Sequence, residues 1–404
     1  MDVNQIIRKM NEFYEELRKL MPLKNWSDLI SEEKEKQDFR EGLSCALDAY
    51  VSLLKKYKAI LGPDIDDIVI KVEECNNQLK ECVNYYFDGR YNAAYNCINT
   101  LLSDSFYEKG FCEISQETVF YRARMPFVST DPVKEMFHIP LNKRGMVKTE
   151  RYSAPGYPCL YLSTNINACW EELKQPCFDD MKISRFVVKE KFSVLDLRIP
   201  SKNDLIENDV DIVLKKLPLI IASSICVQEQ DASFKPEYII PQLIIEYIIT
   251  RNRDKYDNTD YSLFDFVLGV YYTSVHINDE LKFPHRTFNN LALPAVLVEK
   301  KETYCQLLAS CFEWTKPTSY SYEDIRCKFG PVFQNGDEDR NLTEEELNYK
   351  YSKMGELEER MSTFKTNKIP YLVINREKDV VPGCKGEKVL EIRSSGDYKI
   401  EIIY

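Results

Sequence analysis

Histidine is almost absent from this chain: there are three in 404 residues, His138, His276 and His285. No Cys-x-x-Cys pair occurs either, so a zinc cluster has little raw material and no metal site is expected. The cysteines number 13, an odd count without paired spacing. That fits thiols kept reduced in a cytoplasm better than a disulfide scaffold. Cys75 and Cys82 lie on one helical face and read as small core hydrophobes. Long apolar runs are missing as well. Leu217 to Ala222 is far too short to span a bilayer. Met1 to Leu20 alternates charge with apolar residues and lacks the apolar core of a signal peptide. The expectation is a cytoplasmic chain that makes no use of a membrane. Positive charge is in deficit: 54 Lys and Arg against 65 Asp and Glu leave a net charge of -11. An acidic chain repels phosphate backbones, which argues against nucleic acid as the main partner. It leaves room for a local basic pocket that takes a small phosphate-bearing ligand.

What is present is the balance of a folded protein, 44% hydrophobic and 29% charged, long enough for two or three domains at ~100–200 residues each. The first stretch reads as helices by hydrophobic period. Val3, Ile6, Met10, Phe13, Leu17 and Leu20 form one stripe. Phe39, Leu43, Leu47, Tyr50, Leu54 and Tyr57 form a second. Pro63 is placed in the first turn of a third helix, where its missing N–H costs nothing; the stripe there is Ile65, Ile68, Val72, Cys75, Leu79 and Cys82. Asp88-Gly89 breaks the chain before a fourth helix with Ala94, Ile98 and Leu101. Four stripes predict a separate helical bundle over residues 1–110. Gly89, Tyr91 and Ala94 resemble part of a tetratricopeptide repeat, but no second copy follows at a fixed period.

After Gly110 short β-rich runs appear: Val119 to Tyr121, Cys159 to Leu162, Ile183 to Val188, Val194 to Leu197, Phe264 to Tyr272 and Leu291 to Val298. Two helices are expected among them. One begins near Asn167. The other begins at Pro241, after Tyr238-Ile239-Ile240, which the following proline should hold extended. This is an α+β domain over residues 111–301. Residues 302–404 read as a small α/β extension. Lys316 to Asn341 looks like a linker or surface loop. Thr343 and Glu346 form a capping-box pattern for a charged helix reaching about Thr363. Pro370 to Ile374, Lys388 to Ile392 and Tyr398 to Ile403 look like strands.

Four segments of the middle domain stand out together. They are Phe120-Tyr121-Arg122-Ala123-Arg124; Arg151 to Ser163 with Ala168-Cys169-Trp170-Glu171-Glu172-Leu173; Pro236 to Gln242; and Gly269-Val270-Tyr271-Tyr272-Thr273-Ser274 with Phe288 to Pro294. In this order they resemble the RES domain family, named for an arginine, a glutamate and a serine. Several of its members are toxins of toxin–antitoxin pairs, and the family is similar to ADP-ribosyltransferases in fold and degrades NAD. The likeness covers somewhat under half of the chain. Arg122, Tyr161 and Ser274 match the family pattern, and the second-segment arginine falls on Arg151. Ser153 stands where many members carry asparagine. The glutamate is Glu171 or Glu172; an ungapped count from Tyr161 favours Glu172. The resemblance implies a bent, split sheet and an NAD glycohydrolase or NAD phosphorylase acting as a toxin or defence effector, with NAD as substrate and no cofactor. The alternatives are a mono-ADP-ribosyltransferase acting on a protein and a non-catalytic domain that binds a nucleotide or partner. The helical N-terminal region is the candidate surface for an antitoxin or regulatory protein.

The chemistry can be argued from residue types. Breaking the nicotinamide–ribose bond develops positive charge at the ribose C1′, as in glycoside hydrolysis. A site must fork a pyrophosphate, which suits Arg122 and Arg151 with Arg124 beside them. It must hold the leaving ring, which suits Tyr161 with Tyr152 nearby. It must set a carboxylate against the developing cation, which suits Glu172 or Glu171. Ser274 and Asn290 could anchor the ribose or amide. Blander readings stand beside these. Arg122 and Arg124 share one strand face, as on an exposed strand; Tyr161 could be core; acidic residues favour a helix's first turn for its dipole alone; the histidines read as core or surface; Ser274 could be a turn residue.

Overall fold

The computed structural model describes residues 3–30, 38–103, 110–125, 135–207, 210–257, 266–276, 288–295, 304–326 and 342–369. The predicted strands at Pro370 to Ile374, Lys388 to Ile392 and Tyr398 to Ile403 lie outside these residues, as does His285.

The expected helices form: α1 (Val3–Arg18), α2 (Phe39–Lys56), α3 (Ile65–Phe87) and α4 (Tyr91–Leu102). Phe13, Leu17, Leu43, Tyr50, Val72 and Leu79 are fully buried, whereas Ile6 at the start of α1 is exposed. Pro63 precedes the helix rather than opening it: Asp64 is the N-cap and Ile65 the first helical residue. Asp88 caps the end of α3, and Gly89 follows at φ +74°, a left-handed conformation that glycine takes without strain.

The mixed domain follows with β1 (Phe111–Ile114), β2 (Val119–Arg124), β3 (Cys159–Ser163), α5 (Ile166–Glu172), β4 (Lys182–Val188), β5 (Phe192–Leu197), α6 (Val210–Ser223), α7 (Ile239–Asp257), β6 (Val267–Thr273) and β7 (Asn289–Pro294). The chain continues through α8 (Gln306–Cys311), β8 (Phe312–Trp314), α9 (Tyr320–Arg326), α10 (Glu344–Lys350), α11 (Lys353–Ser362) and β9 (Asn367–Lys368). The architecture is α+β, with one mixed nine-stranded sheet in the order β1-β5-β6-β7-β3-β2-β4-β8-β9. Among the described residues only β5 and β6 pair in parallel.

The sheet opens in its middle. β2 and β3 meet at the single register pair Tyr121↔Ser163, whereas β2 pairs with β4 along all six of its residues. Beyond Tyr121 the two strands part, and Arg122 bridges the gap by donating from Nη1 to the Tyr161 carbonyl at 2.5 Å. On the other side of β3 the ladder with β7 runs from Cys159↔Pro294 to Ser163↔Asn290. β7 also lies so close to β6 that a Cβ on Gly269 would fall 2.1 Å from the Ala292 carbonyl oxygen.

Several expectations are corrected. The helical region is not a separate body: α1 to α4 share one continuous hydrophobic core with α6 and α7. α6 was not expected at all. Its second half, residues 217–223, is buried on all sides and apolar up to Ser223, and Pro218 sits inside it. Proline cannot donate to the carbonyl four residues back. The Tyr50 hydroxyl of α2 donates to that carbonyl, Leu214 O, at 2.7 Å instead. Tyr238-Ile239-Ile240 is helical rather than extended, because Pro241 falls in the first turn of α7, where no N–H is needed. Part of the expected linker is ordered: Thr318 bridges Ile183 and α9 follows. The capping box at Thr343 and Glu346 is present, but the charged helix is two helices, the second capped by Ser352. The region after residue 302 adds β8 and β9 to the edge of the main sheet. Among the described residues no helix is long and apolar enough to cross a membrane.

Candidate active site

A cavity of about 610 Å³ occupies the opening between β2 and β3. Arg122, Arg124, Tyr161, Glu172, Arg151 and Asn290 all line it. These residues come from three of the four segments, and the splayed strands are what bring them together. Five cationic side chains (Arg122, Arg124, Lys143, Lys148, Arg151) face three acidic ones (Glu135, Glu150, Glu172). The pocket is thus locally basic in an acidic chain, the setting that suits an anionic ligand.

Glu172 is the last residue of α5. The helix is fixed at its other end: Asn165 accepts from Ala168 N at 2.8 Å, and Glu358 of α11 accepts from Ile166 N at 2.7 Å. The Glu172 carboxylate is held through one oxygen. Oε1 accepts from Ser274 Oγ at 2.6 Å and from Asn290 Nδ2 at 2.7 Å. Ser163 Oγ donates to Asn290 Oδ1 at 2.7 Å, which turns the amide so that its NH2 faces Glu172. His276 Nε2 lies 3.8 Å from Oε2. Ser274 thus reaches the site through Glu172. Glu171 points away and accepts from Gln175 Nε2 at 2.9 Å. Neighbouring residues on a helix differ by about 100° in direction, so only one of the pair can face the cavity.

Arg122 is 7% exposed and Arg151 equally so. Burial first, then the like charge of Arg124, brings the Arg122 guanidinium down to about 9, and its Nε meets no acceptor. A buried cation with an idle donor is suited to receive an anion. Arg124 is also shifted down by burial and donates from Nε to the Glu135 carbonyl at 3.2 Å. Arg151 is partly engaged: Nη1 donates to Ser223 O at 2.9 Å, and its guanidinium lies 5.2 Å from the centre of the Tyr238 ring. Gln242 fixes this loop by donating to Glu150 O and Ser153 O.

Tyr161 reaches the cavity wall, and its hydroxyl accepts from the Tyr152 backbone N–H at 3.3 Å. Burial raises its phenol pKa well above the usual range. Tyr152 itself does not line the cavity. Its ring is buried behind the wall, 4.6 Å from that of Tyr272. Its part is structural, because strand and turn packing turn the ring inward while only the backbone reaches Tyr161. Ser153 is buried and donates to Tyr157 O at 3.0 Å.

Sequence reasoning missed His276, Tyr238, Tyr272 and Glu150, all of which line the cavity. His276 had a local signal, since it stands two residues beyond Ser274, the period of an extended chain. Tyr238 lay in a segment already singled out. His138 is core: Cys305 N donates to its Nε2 at 2.8 Å, Nδ1 meets Ile139 O at 2.8 Å, and burial lowers its pKa to about 4. Among the described residues no group of three or more His, Cys, Asp or Glu side chains is arranged to hold a metal ion.

Over 289 residues the chain is 29% identical to a Bacillus subtilis (strain 168) protein described as "Putative toxin YopC". The match covers 62% of this chain and 59% of that protein, so the chain spans about three-fifths of its relative's length. No family model matches the chain. No solved structure matches it.

Proposed function

We propose that this chain is an NAD-cleaving enzyme, acting as a toxin or defence effector inside the cytoplasm. The observation that carries the reading is the pairing of an anchored carboxylate, Glu172 on Ser274 and Asn290, with the buried Arg122 in one cavity. The volume is in the range of small-molecule sites. The resemblance of the four segments to the RES family supports the same reading, as does similarity to a protein described as a putative toxin. An ADP-ribosyltransferase-like fold belongs to this proposal, and the opening between β2 and β3 is in keeping with it.

In this scheme the pyrophosphate lies against Arg122 and Arg124, with Arg151 lining the same cavity. The nicotinamide ring packs on the aromatic side of the cavity, which Tyr161, Tyr238 and Tyr272 supply. The C1′–N bond breaks and its electron pair leaves with neutral nicotinamide. Glu172 stabilises the cationic ribose, a charge present only in the transition state. Water or phosphate then closes the bond at C1′. Because α1 to α4 share their core with α6 and α7, and Ser223 and Gln242 of those helices hold the Glu150–Arg151 loop, an antitoxin or regulatory partner bound to the helical region would act on the cavity through that loop.

The test is to incubate the purified chain with NAD, with and without phosphate, and identify the products. Nicotinamide with ADP-ribose means hydrolysis; a phosphorylated ADP-ribose means phosphorolysis; ADP-ribose attached to protein means transfer. NAD that binds but stays intact under all three conditions would favour a non-catalytic nucleotide-binding domain.

A further inference from the structure

His276 has no part in that scheme, yet it is built into the carboxylate's support. Its backbone N–H donates to Ser274 Oγ at 3.3 Å, and the same hydroxyl donates to Glu172 Oε1 at 2.6 Å. One serine therefore fixes the spacing of both groups. The hydrogen bonds from Ser274 and Asn290 fall on Oε1, while Oε2 faces the imidazole at 3.8 Å. That separation is too long for a hydrogen bond and leaves Nε2 able to reach a water in the cavity. The imidazole is 37% exposed, and it lines the same cavity as Glu172.

We propose that His276 is a further catalytic residue of this site, the base that takes the proton from the water attacking the ribose; the proposal rests on the NAD-cleaving reading. A water lone pair forms the new bond to C1′ while the C1′–N electron pair departs with nicotinamide. The water's proton moves to Nε2 of the neutral imidazole and passes on to solvent. The imidazolium formed in between lies against Glu172 Oε2, which offsets its charge. Among the described residues the charged groups acting around His276 are Glu172 on α5 and Glu150 on the loop before Arg151; Lys235 and Lys148 act on Glu150 in turn. Glu172 at 3.8 Å and Glu150 offset a transient positive charge there, against the cations Lys148 and Arg151 that line the same cavity. Glu172 then works through two distinct oxygens: Oε1 is tethered and Oε2 faces the proton acceptor.

The experiment uses the full chain as wild type, His276→Gln and His276→Ala, and follows NAD turnover from about pH 5 to 9, with NAD affinity by calorimetry. Turnover in both variants should fall by ~100-fold, the scale of a lost general base, with affinity changed by no more than about two-fold. The pH profile of kcat/KM should change shape in His276→Gln, and added imidazole should restore turnover to His276→Ala. Variants with wild-type turnover and an unchanged pH profile would overturn the role of His276 while leaving NAD cleavage standing. A wild-type chain that cleaves no NAD would remove the parent reading and this proposal with it. Failure of imidazole rescue alongside equal losses of affinity and turnover would also overturn it, by making His276 a packing residue.

Discussion

Replacing Arg122 by methionine should make the empty protein more stable and the site useless. The side chain is 7% exposed, it spends one donor on Tyr161 O, and its Nε is idle. The groups acting most strongly on it after burial are Arg124, two thiols and Tyr161, none of them a carboxylate. Its pKa falls from 12.5 to about 9. At pH 7, below both values, the guanidinium is charged in the folded and unfolded chains alike, so folding carries the whole cost of burying it. At ~1.4 kcal/mol per tenfold change, that cost is about 5 kcal/mol. The charge-assisted bond to Tyr161 returns ~1.5–3 kcal/mol. Methionine keeps much of the arginine stem's apolar contact and removes both effects, so a net gain of ~1–3 kcal/mol is expected once imperfect packing is allowed for. Urea unfolding at pH 7 measures it. The gap between variant and wild type should narrow above about pH 9, where the folded wild type begins to lose the proton. NAD at a hundredfold excess over its Kd should stabilise the wild type by ~2.7 kcal/mol and the variant far less. A variant that is less stable when empty, yet gains as much from NAD, would refute the view of Arg122 as a cation awaiting its anion.

Other perturbations address other parts of the argument. Glu172→Gln keeps the size of the side chain and removes its charge. NAD turnover should drop ~100-fold or more with affinity little changed; a double Glu171→Gln, Glu172→Gln variant at wild-type rate would end the mechanism. Gly269→Ala drives a Cβ to 2.1 Å from the Ala292 carbonyl oxygen. Because backbone rather than a side-chain tip must move, it should cost ~2–4 kcal/mol, seen as a lower urea midpoint; an unchanged midpoint would show that the two strands can part freely. His138 is lowered from 6.5 to about 4 by burial. Its contribution is whole above about pH 6.5 and is lost as pH falls toward 4, by ~3 kcal/mol in all. His138→Gln should therefore flatten the stability difference between about pH 7.5 and 4.5, and parallel curves for the two proteins would assign that difference to other groups.

The helices of the first hundred residues were legible because a buried stripe repeats with the helical period, a property of the chain itself. The same holds for the strands around Phe120, Leu160, Phe186 and Leu291, and for the Thr343–Glu346 capping box. Arg122, Tyr161, Glu172 and Ser274 stood out through their order along the chain. The rest depended on long-range packing. α6 was hidden because its buried half, residues 217–223, has no polar face to reveal the period, and its internal Pro218 is tolerated through Tyr50, 164 residues from the carbonyl it satisfies. β8 and β9 are too short to show a pattern and exist as strands because β4 offers an edge to β8 and β8 in turn to β9. Glu171 and Glu172 are the same residue type at adjacent positions, and only the docking of α5 against Ser274 and Asn290 makes them differ. The cavity itself comes from two strands that part after one register pair. Neither strand carries a local mark of that opening, because side-chain period records which face is buried and not how far a neighbouring strand stands away.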